Sequence, residues 1–344
     1  MDKGGIYLIK VENLTKDFKL RKKDGGFKGA VKSLFSNEYE TKKAVSDISF
    51  EIDDGEVVGY IGANGAGKST TIKMMTGIMT PTSGRVIVNG IVPYEEREKN
   101  AMDIGVVFGQ RTQLWWDLAL SETFTILKDI YNIEDDVYER NMKFLNNVLD
   151  LEEFIKRPVR TLSLGQRMRA DLAASLIHNP KILYLDEPTI GLDVVVKEKV
   201  RTAIKEINKE FKTTIILTTH DLNDIEELCN RIIIIDKGIK IYDGSLENIK
   251  NKFGYMASLE IKIKDKRDRD LLKENLGLDK QFKLDIEDLS FDIEDSKIII
   301  NFNKNKISSS EILYYVMKNV KVLDFALNES SIEDIIKKIY RNEV

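Results

Sequence analysis

Eight residues, Gly62-Ala63-Asn64-Gly65-Ala66-Gly67-Lys68-Ser69, constrain this chain more than any other stretch. They fit the pattern G-x-x-x-x-G-K-[ST] and stand between an apolar run, Glu56–Ile61, and a helical pattern from Ser69 to Thr76 that Gly77 ends. The glycines let the backbone curl so that several N–H groups point at phosphate oxygens. The helix that follows turns its positive N-terminal end toward the same anion. In such a loop Lys68 neutralises the β- and γ-phosphates and the Ser69 hydroxyl ligates Mg²⁺.

The surroundings are those the loop requires. From about residue 45 to 250 short apolar runs alternate with helical patterns, the mark of an α/β layered domain. Strands are expected at Glu56–Ile61, Val106–Phe108, Lys181–Asp186, Thr214–Thr218 and Arg231–Ile235, and a helical insertion between Gln110 and Arg160. Ile182-Leu183-Tyr184-Leu185-Asp186-Glu187 is an apolar strand ending in two carboxylates, the Walker B arrangement. Asp186 is expected to hold Mg²⁺ through water, and Glu187, one residue beyond, to polarise an attacking water as general base. Such pairs alone are often only solvated; the phosphate loop upstream in the same domain favours the chemical reading.

At 344 residues the chain has room for about two domains. A net charge of −4 argues against a nucleic-acid partner, which would leave a basic footprint. The lone cysteine, Cys229, rules out an internal disulfide framework and a four-cysteine zinc site, and suits a reducing cytoplasm. No apolar run approaches the roughly 20 residues that span a bilayer, and no signal-peptide stretch follows Met1. A membrane role is therefore expected to need a partner.

Leu162-Ser163-Leu164-Gly165-Gln166 resembles the Leu-Ser-Gly-Gly-Gln signature of ABC transporter ATPases, found in no other P-loop class. Gly191-Leu192-Asp193, after Pro188, is similar to that family's D-loop, and His220, after Thr218-Thr219, to its switch histidine. Gln110, after Val106–Phe108, resembles the Q-loop glutamine, and the order and spacing agree over about residues 6–250. The resemblance implies a P-loop cassette: a mixed-sheet core, a helical subdomain over about 110–175, and an N-terminal antiparallel subdomain. It implies two cassettes paired head to tail, most simply a homodimer. Each ATP then lies between one chain's Gly62–Ser69 loop, with Thr70, and the other chain's Ser163, Gly165 and Gln166. Asp193 is implied to communicate across the interface, and His220 to contact the γ-phosphate near Glu187. Mg²⁺ is implied to be held by Ser69, Gln110 and Asp186. The third signature position is Leu164 rather than glycine; the serine and second glycine are retained. The bland reading of His220, and the one preferred for His178 before Asn179-Pro180, is a satisfied surface histidine.

Three further stretches carry expectations. Phe18, in Asn13–Phe18, matches the adenine-stacking aromatic of the family and is favoured over Tyr39, which lies closer to the phosphate loop in sequence. Between them a basic stretch, about 19–43, places Phe27, Val31, Leu34 and Phe35 at helical spacing. It reads either as an amphipathic piece for lipid headgroups or an acidic partner, or as a flap on its own domain. Trp115-Trp116 falls where the family receives a membrane subunit's helix; the competing reading buries both.

After Gly254 the texture changes to a small α+β domain, 255–344, for which a ferredoxin-like topology is the expectation. Leu259, Ile261 and Ile263 alternate as in a strand, strands follow at Lys297–Phe302 and Lys321–Phe325, and capping boxes start at Ser308 and Ser330. Ile332, Ile335, Ile336 and Ile339 share a helical face. Within the family, the basic stretch, the Leu-Ser-Leu-Gly-Gln variant and the tail from Glu329 to Ile336 resemble exporter ATPases that serve separate permeases. The chain is then expected on the cytoplasmic face of the membrane, held there by the permease. An importer is the alternative within transport. A ribosome- or DNA-acting ATPase is a third class, disfavoured by the single cassette and the lack of heptads or zinc cysteines between Ser69 and Ser163.

Overall fold

The computed structural model describes residues 7–21, 39–109, 112–263, 281–285, 288–294, 297–329 and 331–340. The chain divides into two compact units, Met1–Gly244 and Ser245–Val344. Each has an apolar core of its own.

In the first unit the central sheet comprises β3 (Val57–Gly62), β5 (Ile104–Phe108), β6 (Ile182–Asp186), β7 (Thr214–Thr218), β8 (Arg231–Asp236) and β9 (Ile239–Ser245). Their spatial order is β5-β6-β7-β3-β8-β9, and the first five run parallel. These strands are short continuous apolar runs because both faces of a parallel sheet are covered. Ile182 to Leu185, Ile215 to Leu217 and Ile232 to Ile235 are buried throughout. A second, antiparallel sheet orders β2 (Tyr39–Ile52), β1 (Ile9–Arg21) and β4 (Ser83–Val88). The helices are α1 (Lys68–Met75), α2 (Arg97–Asp103), α3 (Leu120–Ile130), α4 (Asp135–Leu149), α5 (Leu164–Leu176), α6 (Val194–Phe211) and α7 (Leu222–Leu228). Between residues 112 and 160 the described chain is helices and turns, with one isolated bridge, Ala119 to Pro158.

The mixed-sheet core with a helical segment and an N-terminal antiparallel sheet is the α/β cassette architecture expected from the sequence. The ends of the basic stretch, however, belong to a ladder: Phe18 pairs with Lys42, Lys19 with Thr41 and Arg21 with Tyr39. Phe27, Val31, Leu34 and Phe35 lie outside the described residues.

The second unit starts with α8 (Leu246–Phe253). Four antiparallel strands follow: β10 (Met256–Ile263), β11 (Leu289–Glu294), β12 (Lys297–Asn303) and β13 (Val322–Glu329), ordered β11-β12-β10-β13. Ala257, Leu259, Ile261 and Ile263 point into the core by the period of two that pleating imposes. α9 (Ser309–Asn319) opens on a capping box in which the Ser308 hydroxyl accepts from the Glu311 N–H and the Glu311 carboxylate accepts from the Ser308 N–H. α10 (Ile332–Tyr340) buries Ile332, Ile335 and Ile336. Its cap is Ser331, not the expected Ser330, which lies outside the described residues. The Asp334 N–H donates to the Ser331 hydroxyl at 3.1 Å, and the Ser331 N–H and hydroxyl donate to the Asp334 carboxylate. Two adjacent serines, each three residues before an acidic side chain, made the register ambiguous. β13 also begins one residue later than expected and runs four residues further.

Candidate functional site: a phosphate loop facing two strand ends

The strand order brings the chemistry together. β3, β7 and β6 are neighbours, so Gly62, Thr218 and Asp186 end side by side at the carboxyl edge of the sheet, where α/β folds open a crevice. Gly65 and Gly67 take φ values of +81° and +110°, a region that side chains with a Cβ rarely enter. At Gly67 a Cβ would also stand 2.5 Å from the Ala44 carbonyl oxygen, so glycine is required twice over. This curl leads directly into α1.

Lys68 opens α1 and is buried. Its ammonium donates to the Gly62 carbonyl at 2.6 Å and the Ala63 carbonyl at 3.2 Å, leaving a third proton for an anion. Burial pulls the Lys68 pKa down, while the charges of Glu187 and Asp186 push it up. Next to it in sequence, the Ser69 hydroxyl donates to Asp186 Oδ2 at 3.2 Å, and the Thr218 hydroxyl donates to Asp186 Oδ1 at 2.5 Å. A hydroxyl and a carboxylate converging in this way are hard oxygen donors. That set suits Mg²⁺ completed by water and substrate phosphates rather than a cage of protein ligands. Among the described residues no group of three His, Cys, Asp or Glu could hold a metal unaided.

Glu187 departs from the strand with φ +58°, and its N–H donates to the Thr218 carbonyl at 2.9 Å. Its carboxylate meets His220 Nε2 at 2.8 Å. Two features behind this pair were missed at the sequence level. At Gly109 a Cβ would stand 2.1 Å from the Glu187 carbonyl oxygen, so only glycine lets the end of β5 lie against this turn. Asp224, fully buried, accepts from the Thr189 hydroxyl, from the Thr219 hydroxyl at 2.9 Å and from Arg201 at 2.7 Å. Thr189 lies two residues after Glu187 and Thr219 directly before His220, so one buried carboxylate ties the two segments together.

Two clefts share the walls Ser69 and Glu187. One, about 380 Å³, is also lined by Phe18, Lys42, Asn64, Gly65, Lys68 and Thr70. The other, about 410 Å³, adds Lys73, Phe108, Gly109 and Asp186. Phe18 thus lies on the loop's own cleft, whereas Tyr39 sits three ladder pairs further along. Gln110 lies outside the described residues. A larger hollow, about 630 Å³, opens beside α4 among Arg140, Lys143, Asp150 and Glu153, with mixed charge and no phosphate loop.

The signature residues do not border either cleft. Ser163 caps α5: its hydroxyl accepts from the Gln166 N–H at 3.2 Å while the Gln166 side chain accepts from the Ser163 N–H at 3.0 Å. Gly165 is buried; a Cβ there would strike Val196 at 2.7 Å. Asp193 caps α6 by accepting from the Val196 N–H at 3.0 Å. Leu164 lies against Gly191 of the D-loop-like turn. Trp115 and Trp116 are 41% and 47% exposed, so neither is buried as the competing reading had it. The Arg167 guanidinium lies 4.6 Å from the Trp116 ring. His178 is not a surface histidine. Its Nε2 meets the Ile104 carbonyl at 3.1 Å, its ring stacks on Tyr131 with centroids 3.9 Å apart, and burial lowers its pKa to about 4.

Comparison with known proteins agrees with this geometry. Residues 45–190 match the ABC transporter family model. An uncharacterised ABC transporter ATP-binding protein of Methanocaldococcus jannaschii is 33% identical, over 73% of this chain and 83% of that protein. The ABC transporter ATP-binding protein NatA of Bacillus subtilis is 32% identical, over 62% of this chain and 87% of NatA. A solved dimeric ATP-binding cassette, in a post-hydrolysis state with ADP and Pi, superposes with TM-score 0.57 at 27% identity, covering 69% of this chain and 98% of that one. By its motifs, its fold and its relatives, the chain belongs to the ATP-binding subunits of ABC transporters.

Proposed function

We propose that the chain hydrolyses ATP at a site shared with a second cassette, most simply its own copy, and that the cycle drives export through separate permease subunits on the cytoplasmic face of a membrane. One observation carries the hydrolytic reading: the Glu187 carboxylate, held 2.8 Å from His220, borders the same clefts as the Ser69–Asp186 pair and the Gly65–Gly67 loop.

In this reading the loop N–H groups and Lys68 bind the β- and γ-phosphates, and Phe18 stacks on the adenine. Ser69, Asp186 and Gln110 are the candidate holders of Mg²⁺, which when bound neutralises charge between the β- and γ-phosphate oxygens. Glu187 takes a proton from water as the water oxygen attacks the γ-phosphorus, and the bond to the leaving ADP oxygen breaks. With nucleotide bound, His220 hydrogen-bonds the γ-phosphate and positions the attacking water near that carboxylate. Ser163 and the Gly165 N–H of the second chain reach the γ-phosphate from the start of α5, where helix polarity favours an anion. That they border neither cleft of their own chain supports completion by a partner. Export is supported by the Leu-Ser-Leu-Gly-Gln variant, the basic stretch and the tail from Glu329, and a permease-facing role for Trp115 and Trp116 by their exposure.

Glu187→Gln keeps the size and a hydrogen-bonding amide but cannot accept the proton. It is expected to bind ATP normally and to lose roughly 10²–10⁴-fold in turnover. Near-normal phosphate release would sink the assignment of the base.

A further inference from the structure

The ladder between β1 and β2 sets an aromatic ring beside a free cation. Phe18 stands directly opposite Lys42, and residues paired in this way carry their side chains on one face, with Cβ atoms about 5 Å apart. Both line the cleft of about 380 Å³ that the phosphate loop borders. Two residues further along β2, Ala44 lies against the loop itself, its carbonyl oxygen 2.5 Å from where a Cβ on Gly67 would stand. Ala44 is also the extra residue of a bulge, since Lys16 pairs with Val45 and Asp17 with Lys43. A bulge turns its strand and re-aims side chains, here Lys42 into the cleft. The Phe18 ring has the Lys16 ammonium 5.6 Å from its centroid, and that ammonium is anchored by donating to the Thr80 carbonyl at 2.7 Å. One face of the ring is thus taken and the other is open to a base. Lys42 is exposed, and among the described residues its ammonium meets no carboxylate. Lys197, Lys199 and Lys205, by contrast, each pair with one.

We propose that Lys42 binds the α-phosphate of the nucleotide whose adenine stacks on Phe18, an inference that rests on the reading of Phe18 given above. The chemistry of the ligand selects the contact. A nucleotide lying from Phe18 to the loop brings a chain of anionic phosphates into the cleft, and the loop N–H groups and Lys68 take the β and γ. The α-phosphate adjoins the nucleoside, so it is the anion within reach of a long side chain paired with Phe18. Lysine suits it as a compact charge on a flexible four-carbon stem. ADP and ATP both carry this phosphate, and it does not react. The contact therefore holds ground state and transition state alike, and its loss should raise KM and leave kcat unchanged.

Equilibrium binding of Mg-ATP and Mg-ADP to the full-length chain tests this, with Glu187→Gln as the parent so that ATP persists. Lys42→Met keeps most of the stem and removes the charge at an exposed position, where substitution leaves the fold intact. It is expected to weaken ATP and ADP by the same factor, about tenfold, the order of one charge-assisted hydrogen bond. Lys42→Arg is expected to restore both to within about twofold of the parent. At about 1 M salt, where charges are screened over roughly 3 Å, Lys42→Met and the parent are expected to converge. The inference is overturned if Lys42→Met binds both nucleotides as the parent does, if ATP alone is weakened, which would place the lysine on the γ-phosphate, or if the loss persists at high salt, which would place it on a ribose hydroxyl. Phe18→Ala separates the inference from the reading beneath it. Undiminished ATP binding by Phe18→Ala would take the adenine off Phe18 and overturn both; weakened binding there, beside an unchanged Lys42→Met, would overturn the inference alone.

Discussion

At the scale of single residues, Asp224 ties together the segments that carry Glu187 and His220. Its carboxylate is fully buried, binds the hydroxyls on either side of the Glu187–His220 pair, and is neutralised by Arg201, itself nearly buried. Asp224→Asn preserves the shape but removes the charge, leaving Arg201 to its longer contacts with Asp221 and Glu198 at 3.5 and 3.8 Å. A stability loss of about 2 kcal/mol is expected, below the range for a wholly unpaired buried charge because those contacts remain. Turnover should fall at least tenfold with KM for ATP little changed, since positioning is lost and binding is not. Steady-state kinetics beside thermal unfolding check this; a destabilised variant with normal turnover would make Asp224 structural only. None of this was legible in the sequence. Thr189 and Asp224 are 35 residues apart, and Gly109 meets Glu187 only because β5 and β6 are neighbours. The loop, the strand-end carboxylates and the signature cap were legible because each is a local pattern whose physics is complete within a few residues.

At the scale of elements, the link between α5 and the segment that follows β5 rests on Asp171. Its carboxylate accepts from the Thr112 hydroxyl at 3.0 Å and the Gln113 N–H at 3.2 Å, just past Gln110. Burial pushes its pKa up to about 6 against those bonds and the charge of Arg167, which pull it down. The folded chain therefore holds this proton more tightly than the unfolded chain does. Stability falls as pH rises from about 4 to about 6 and stays reduced above, by a ceiling of about 3 kcal/mol. Asp171→Asn keeps an acceptor oxygen and cannot ionise. It is expected to be about 2 kcal/mol more stable than wild type at pH 8 and equal to it near pH 4. His178 works in the opposite sense, favouring the fold as pH rises through its ordinary range, but it is common to both chains and cancels in their difference. Denaturant unfolding across that range decides: equal slopes against pH would contradict the buried carboxylate. The same scale shows why element boundaries were harder to read than elements. β1 and β2 continue past the point where their sequence turns basic because the ladder, with its exposed lysines, carries them. β13 outruns its expected end because pairing with β10, not its own pattern, sets its length.

For the whole molecule, we propose that the loop from Gly62 to Ser69 is half of a site and that Ser163 of another chain supplies the rest. Within one chain Ser163 borders no cleft that the loop borders. The direct measurement is ATP retained through rapid desalting by two variants, both carrying Glu187→Gln to prevent turnover. One adds Lys68→Ala and the other Ser163→Arg. Each alone has every composite site broken and should release its nucleotide; co-expressed and purified as a mixed pair, they restore one intact site. Neither variant alone is expected to retain ATP, and the mixed pair is expected to retain about one ATP per two chains, by the geometry of a two-fold pair. Retention by the Ser163→Arg variant alone, or none by the mixed pair, would contradict it.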